Sequence, residues 1–160
     1  MSSGYDPHKD QTTLGEERVS LLRILFYGGI TYHVLPTVRE EYSFINDEAW
    51  RKEHEDITIV LCLDHWDFDQ SKIEPRKQYF FNYHGEAKDC QILAEAEAAG
   101  MDVLLSCDKD FIKRLGKRAR KVRIMKPTDF WGLLNIPPGA KPIWRPHPSN
   151  PLSRQTWWQF

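Results

Sequence analysis

Ala87-Lys88-Asp89-Cys90-Gln91-Ile92-Leu93-Ala94-Glu95-Ala96, followed by Asp102-Val103-Leu104-Leu105-Ser106-Cys107-Asp108-Lys109-Asp110-Phe111, decides the fold class. It reads as a helix, a stop at Gly100, an apolar strand and an acid at the strand's end. Wound at about 100° per residue, residues 89–99 put Ile92, Leu93, Ala96 and Ala99 on one apolar stripe. Asp89 falls within that stripe. A carboxylate on an inward face is costly unless it is hydrogen-bonded, paired or bound to a cation. Val103-Leu104-Leu105 is continuously apolar, as in a parallel strand covered on both faces. In open α/β sheets ligands sit beyond the carboxyl ends of strands, which is where Asp108 falls. Asp89 and Asp108 are therefore expected to reach one crevice.

The flanking chain supplies the other elements. Residues 1–13 are polar and turn-rich, an expected loop or arm. Val19, Leu22, Leu25 and Phe26 repeat at helical spacing over residues 15–27, and Gly28-Gly29 ends the run. Residues 30–35 are expected as a strand closed by Pro36, and residues 57–63 as a β-branched strand ending at Asp64. Thr37 opens a helix between them. Thr37-Val38-Arg39-Glu40 fits a capping box, which gives Glu40 a structural role. Glu41 differs, sharing a face with Val38, Ile45 and Ala49.

Residues 65–86 are expected to form an irregular segment or a short helix beside the crevice. Their aromatics are expected to cover a core edge in preference to stacking bases. A helix starting near Asp110 would turn Phe111 and Leu115 inward and its basic residues outward. Residues 122–125 form a last strand, and 128–131 begin a terminal helix. From Pro137 to Pro151 six prolines exclude regular elements. This tail, residues 137–160, is expected to be extended, its tryptophans docked onto the body or onto a partner.

The order Asp89-Cys90-x-Ile92-x-Ala94-Glu95-Ala96, Gly100, Asp102-Val103-Leu104-Leu105, Asp108-Lys109-Asp110-Phe111 resembles the C-terminal half of a PIN domain. The resemblance covers residues 84–134, including Lys126-Pro127-Thr128-Asp129-Phe130-Trp131 after the last strand, and continues in the same order over residues 14–45. That family comprises small Mg²⁺- or Mn²⁺-dependent ribonucleases, bacterial toxin nucleases among them. The resemblance implies a three-layer α/β/α fold with a mainly parallel sheet over residues 1–136, preceding the tail. It implies an endoribonuclease whose catalytic acids, Glu41, Asp89 and Asp108, hold Mg²⁺ or Mn²⁺. Asp110 would be an outer or second-metal ligand, and Ser106 would orient an acid or a water. Lys109, Lys113, Arg114 and Lys117 would meet RNA phosphates. An antitoxin or other protein partner, and a homodimer, are expected by analogy alone.

The chemistry agrees with the residue types. Phosphodiester hydrolysis needs an activated water and charge compensation on phosphoryl oxygens, which one or two Mg²⁺ ions supply. Mg²⁺ is held by a few carboxylates plus waters. Each acid also has a plainer role: Asp89 as an N-cap, Asp108 as a turn residue, Glu41 as a half-exposed acid with a buried stem. The basic run has one too, as a solvated helix face. Three acids at inward or strand-end positions, in the family's order, favour the site.

The chain departs from the PIN pattern at its start. That family begins with an apolar strand ending in an Asp ligand, whereas here Met1-Ser2-Ser3-Gly4-Tyr5-Asp6 leads straight toward the first helix. Either upstream residues carry that strand, or this is a shortened member with an impaired metal site. The rival expectations are a catalytically impaired relative that binds RNA or protein, and a flavodoxin-like regulatory domain with Asp64 as phosphoacceptor.

Composition is consistent with these readings without selecting among them. A chain of 160 residues suits one domain, and 41% hydrophobic with 28% charged residues is ordinary for a soluble protein. A net charge of −1 gives no global attraction to nucleic acid. No apolar run approaches a membrane span and no signal pattern opens the chain, so a cytoplasmic protein is expected. Cys62, Cys90 and Cys107 are expected as buried free thiols. The six histidines show no zinc-ligand spacing.

Overall fold

The computed structural model describes residues 13–61 and 69–160. It is a mixed α/β structure, 53% helical, with a small parallel two-stranded sheet. The elements run α1 (Thr13–Tyr27), α2 (Pro36–Ser43), α3 (Glu48–Leu61), α4 (Ile73–Phe81), α5 (Ala87–Ala98), β1 (Val103–Leu105), α6 (Lys109–Leu115), β2 (Arg123–Met125) and α7 (Pro127–Leu133). Short 3₁₀ turns occupy Gln70–Lys72 and Pro151–Arg154. Among the described residues no helix is long and apolar enough to cross a membrane.

The chain forms two compact units. One takes its described residues from Met1–Ile30 and Met125–Phe160, the other from Thr31–Ile124. In the first, α1 packs on α7 and the tail returns to α1. Trp158 is buried, its ring 4.6 Å from Phe26, and its indole N–H donates to the Leu152 carbonyl at 2.9 Å. Arg23 donates to the carbonyls of Trp158 and Gln159 at 3.3 and 3.1 Å. The tail therefore docks on the body through Trp158, while Trp144 stays exposed.

In the second unit the core centres on Phe80, Cys90, Leu93 and Leu115, all fully buried, where α4 packs on α5 and Leu35, Phe111 and Ile124 close around them. Truncating Leu93 there should cost about 2–5 kcal/mol. Helix α5 ends as its sequence requires. Gly100 has φ +70°, and the N–H groups of Gly100 and Met101 reach back to the carbonyls of Glu97 and Ala96 at 3.1 and 3.0 Å. This is a Schellman cap, which favours glycine at the left-handed position. The Arg123 N–H bonds the Asp102 carbonyl at 2.9 Å, beside the β1–β2 pairing.

Three expectations are corrected. Residues 57–61 continue α3 and do not form a strand; residues 62–68, including Asp64 and His65-Trp66-Asp67-Phe68, lie outside the described residues. The cause is the helix start: Asp47 Oδ1 accepts the Trp50 N–H at 3.0 Å. Once α3 is nucleated through Glu48, Ala49, Arg51 and Lys52, each β-branched residue costs only up to about 0.7 kcal/mol relative to alanine. Residues 30–35 form no regular strand, with a strand-like bridge only at Tyr32. The capping box is not formed either. Pro36 at the first helical position makes Leu35 the N-cap, so Thr37 sits inside the helix and Glu40 is exposed. Thr37 instead gives its N–H and hydroxyl to Glu95 of α5, at 3.1 and 2.6 Å.

A candidate acidic pocket

Glu41, Asp89, Asp108 and Asp110 all line one open pocket of about 750 Å³ in the second unit, together with His84, Lys88 and Arg114. Helix α2 contributes Glu41 near its C-terminus. The α4–α5 connection and the first turn of α5 contribute His84, Lys88 and Asp89. Asp108 and Asp110 come from the start of α6. With Glu86, the lining holds five carboxylates against two cations, Lys88 and Arg114. A concavity with that imbalance raises the local concentration of cations and opposes an uncompensated phosphate.

Each acid is held differently. Asp89 is partly buried, its Oδ2 2.6 Å from His84 Nε2. Asp108 is exposed and is the N-cap of α6: its Oδ1 accepts the N–H groups of Asp110 and Phe111 at 2.7 and 2.9 Å. The Asp108 N–H donates in turn to Ser106 Oγ at 3.1 Å, so Ser106 orients the acid's backbone. The plain capping role of Asp108 is thus real, and it engages one oxygen of the two. Glu41 is 41% exposed, and Lys88 Nζ lies 3.9 Å from its Oε1 and 4.8 Å from the Phe44 ring centroid. An ion pair this exposed contributes at most about 1 kcal/mol.

Beneath the pocket floor, Cys90 donates its S–H to the His84 carbonyl at 3.2 Å. Burial, and then the charge of neighbouring Asp89, pushes the Cys90 thiol up from its ordinary range. Cys107 is exposed, which corrects the expectation that it is buried; among the described residues neither Cys90 nor Cys107 is in a disulfide, and Cys62 lies outside them.

Among the described residues no three His, Cys, Asp or Glu side chains stand close enough together to hold a metal ion directly. The oxygen donor set suits a hydrated Mg²⁺ or Mn²⁺, which commonly takes one or two carboxylates and keeps several waters. It does not suit a three-carboxylate cage.

Of the expected basic contacts, Arg114 lines the pocket, while Lys109, Lys113 and Lys117 are exposed outside its lining. Helix α6 ends at Leu115, so Lys117 belongs to the following turn and not to a basic helix face. Of the aromatics after residue 75, Phe80 is in the core and Tyr79 packs against it, whereas Phe81 and Tyr83 are exposed; Trp66 and Phe68 lie outside the described residues. Lys88 and His84 were not singled out from the sequence. Both lie within five positions of Asp89 on its N-terminal side, and that proximity was the available signal. Glu95 was missed as well, because its partner Thr37 is 58 positions away.

Comparison with protein-family models, curated proteins and solved structures found no match to this chain.

Proposed function

We propose that this chain is a PIN-like, Mg²⁺- or Mn²⁺-dependent endoribonuclease that hydrolyses RNA phosphodiester bonds. The observation that carries the reading is the shared pocket of Glu41, Asp89 and Asp108, drawn from three separate elements. The PIN-like three-layer arrangement belongs to the same proposal, supported by the order α5–β1–α6–β2–α7.

In this reading Asp89 and Asp108 would hold the cation, with Glu41 and Asp110 lining the same pocket. A bound divalent ion supplies charge compensation at the phosphate and a more acidic water. Lys88 and Arg114 attract the RNA backbone to the pocket. His84 holds Asp89, and Ser106 with the α6 backbone holds Asp108.

The test is cleavage of an end-labelled single-stranded RNA by the full chain. We expect products with Mg²⁺ or Mn²⁺, none with a chelator, and none with Asp89→Asn. Cleavage that survives chelation would contradict the proposal.

A second reading is a pocket that binds RNA without cutting it. It is favoured by the capping duty of Asp108 and by the fact that, among the described residues, no three ligand side chains stand close enough to share a metal ion. Such a module would retain RNA under Asp108→Asn and would cleave nothing in either metal.

A further inference from the structure

Among the described polar side chains lining the pocket, His84 alone is buried, at 5% exposure. Its backbone is fixed on both sides: the N–H donates to the Phe80 carbonyl at 3.1 Å, and the carbonyl accepts the Cys90 S–H. The ring lies against Phe111, centroids 6.0 Å apart. Nε2 meets Asp89 Oδ2 at 2.6 Å, whereas Nδ1 is buried with no hydrogen-bond partner among the described residues.

These two nitrogens decide the direction of the bond. A hydrogen on Nδ1 would be a buried donor with no acceptor, which is costly, while an unshared lone pair is the lesser loss. The hydrogen therefore belongs on Nε2, and the bond runs from Nε2–H to Asp89 Oδ2. Asp89 is in the first turn of α5, and α5 has no side-chain cap at its Glu86 N-cap position. Among the described residues, His84, from the connection before that turn, makes the hydrogen bond that fixes the carboxylate's rotation.

We infer that His84 is a positioning residue for this pocket, donating one hydrogen bond that pins Asp89 Oδ2 and leaves Oδ1 to a bound divalent cation. The inference rests on the reading of the pocket as a cation site. Partners that orient a liganding side chain typically matter by 10–100-fold in metal affinity.

Two measurements on the full chain test it. The first needs no metal: ¹⁵N spectra of histidine-labelled protein should show His84 with hydrogen on Nε2 and none on Nδ1, and Asp89→Ala should move the Nε2–H resonance. Hydrogen on Nδ1, or an Nε2–H resonance indifferent to Asp89→Ala, would overturn the inference. The second is Mn²⁺ titration. His84→Phe, which keeps a ring and removes the donor, should weaken binding by about 10–100-fold. His84→Gln, whose amide nitrogen reaches the Nε2 position, should recover most of that loss. Equal binding by the unmodified chain and a folded His84→Phe variant would overturn the inference. No Mn²⁺ binding by the unmodified chain would overturn the cation reading alone, and the pinning of Asp89 would then stand or fall on the spectra.

Discussion

Two groups of acids in this protein are built to opposite specifications. Glu95 and Glu17 are buried, and each closes the start of another helix. Glu95 takes the Thr37 N–H and hydroxyl with its two oxygens, and Gln91 adds a third bond at 3.0 Å. Glu17 does the same to Thr128 at 2.9 and 3.0 Å, with Lys126 Nζ at 3.7 Å. In both, a Pro-Thr pair opens the helix, so the threonine is inside the first turn and a borrowed glutamate supplies the cap. The pocket acids are the reverse. Asp89, Asp108 and Glu41 remain partly or fully exposed, and the hydrogen bonds or ion pair seen on each engage a single oxygen. A buried acid with both oxygens occupied is a structural fastening. A carboxylate with an oxygen to spare, grouped with others in a concavity, is available to a ligand.

That contrast can be broken most readily at Glu95. Glu95→Ala should destabilise the fold by about 3 kcal/mol, since it strands a buried N–H and a buried hydroxyl and leaves a void. Chemical denaturation measures it, and a loss below about 1 kcal/mol would remove the distinction. Glu17→Ala should cost less, about 2 kcal/mol, because Thr128 is only half-buried and water can replace part of the lost bonding.

At Asp108 the two roles separate. Asp108→Ala should cost about 1 kcal/mol through the lost α6 cap, whereas Asp108→Asn caps almost as well and should leave stability within about 0.5 kcal/mol. RNA cleavage should fall in both variants alike. Glu41→Gln should leave the denaturation midpoint unchanged within error, because its ion pair with Lys88 is half-exposed.

The smallest effect concerns the thiol below the pocket. The folded Cys90 ionises above its ordinary range, so its contribution to stability is full below that range and is lost as pH rises through it. As pH rises through and above the ordinary cysteine range, the unmodified chain should lose slightly more stability than Cys90→Ala. Alkylation followed by mass spectrometry should mark exposed Cys107 well before Cys90.

Much of the pocket was legible because its signals are local. The Asp89 helix, its Gly100 stop, the short apolar strand and the Asp108 turn lie within about two dozen residues, where periodicity and capping rules operate. The misreadings arose where local pattern is ambiguous or the partner is distant. Residues 57–61 have β-branched composition, but a short apolar run cannot reveal that a helix already started at Asp47 will run through it. Thr37 and Glu40 match a capping box, and only the fold could show that Glu95 takes Thr37 first. The helical pattern places Asp89 inward, whereas it is only partly buried, beside the buried Cys90, Leu93, Ala94 and Ala96, with His84 as its partner.

The central claim, that the open acids and not the closed ones form a cation site, is tested most directly by Mn²⁺ calorimetry on the unmodified chain, Asp89→Asn, Asp108→Asn and Glu17→Gln. Binding is expected for the unmodified chain and Glu17→Gln, with at least about tenfold weaker binding by each aspartate variant. Binding that is absent throughout, or that survives both aspartate substitutions unchanged, would contradict it.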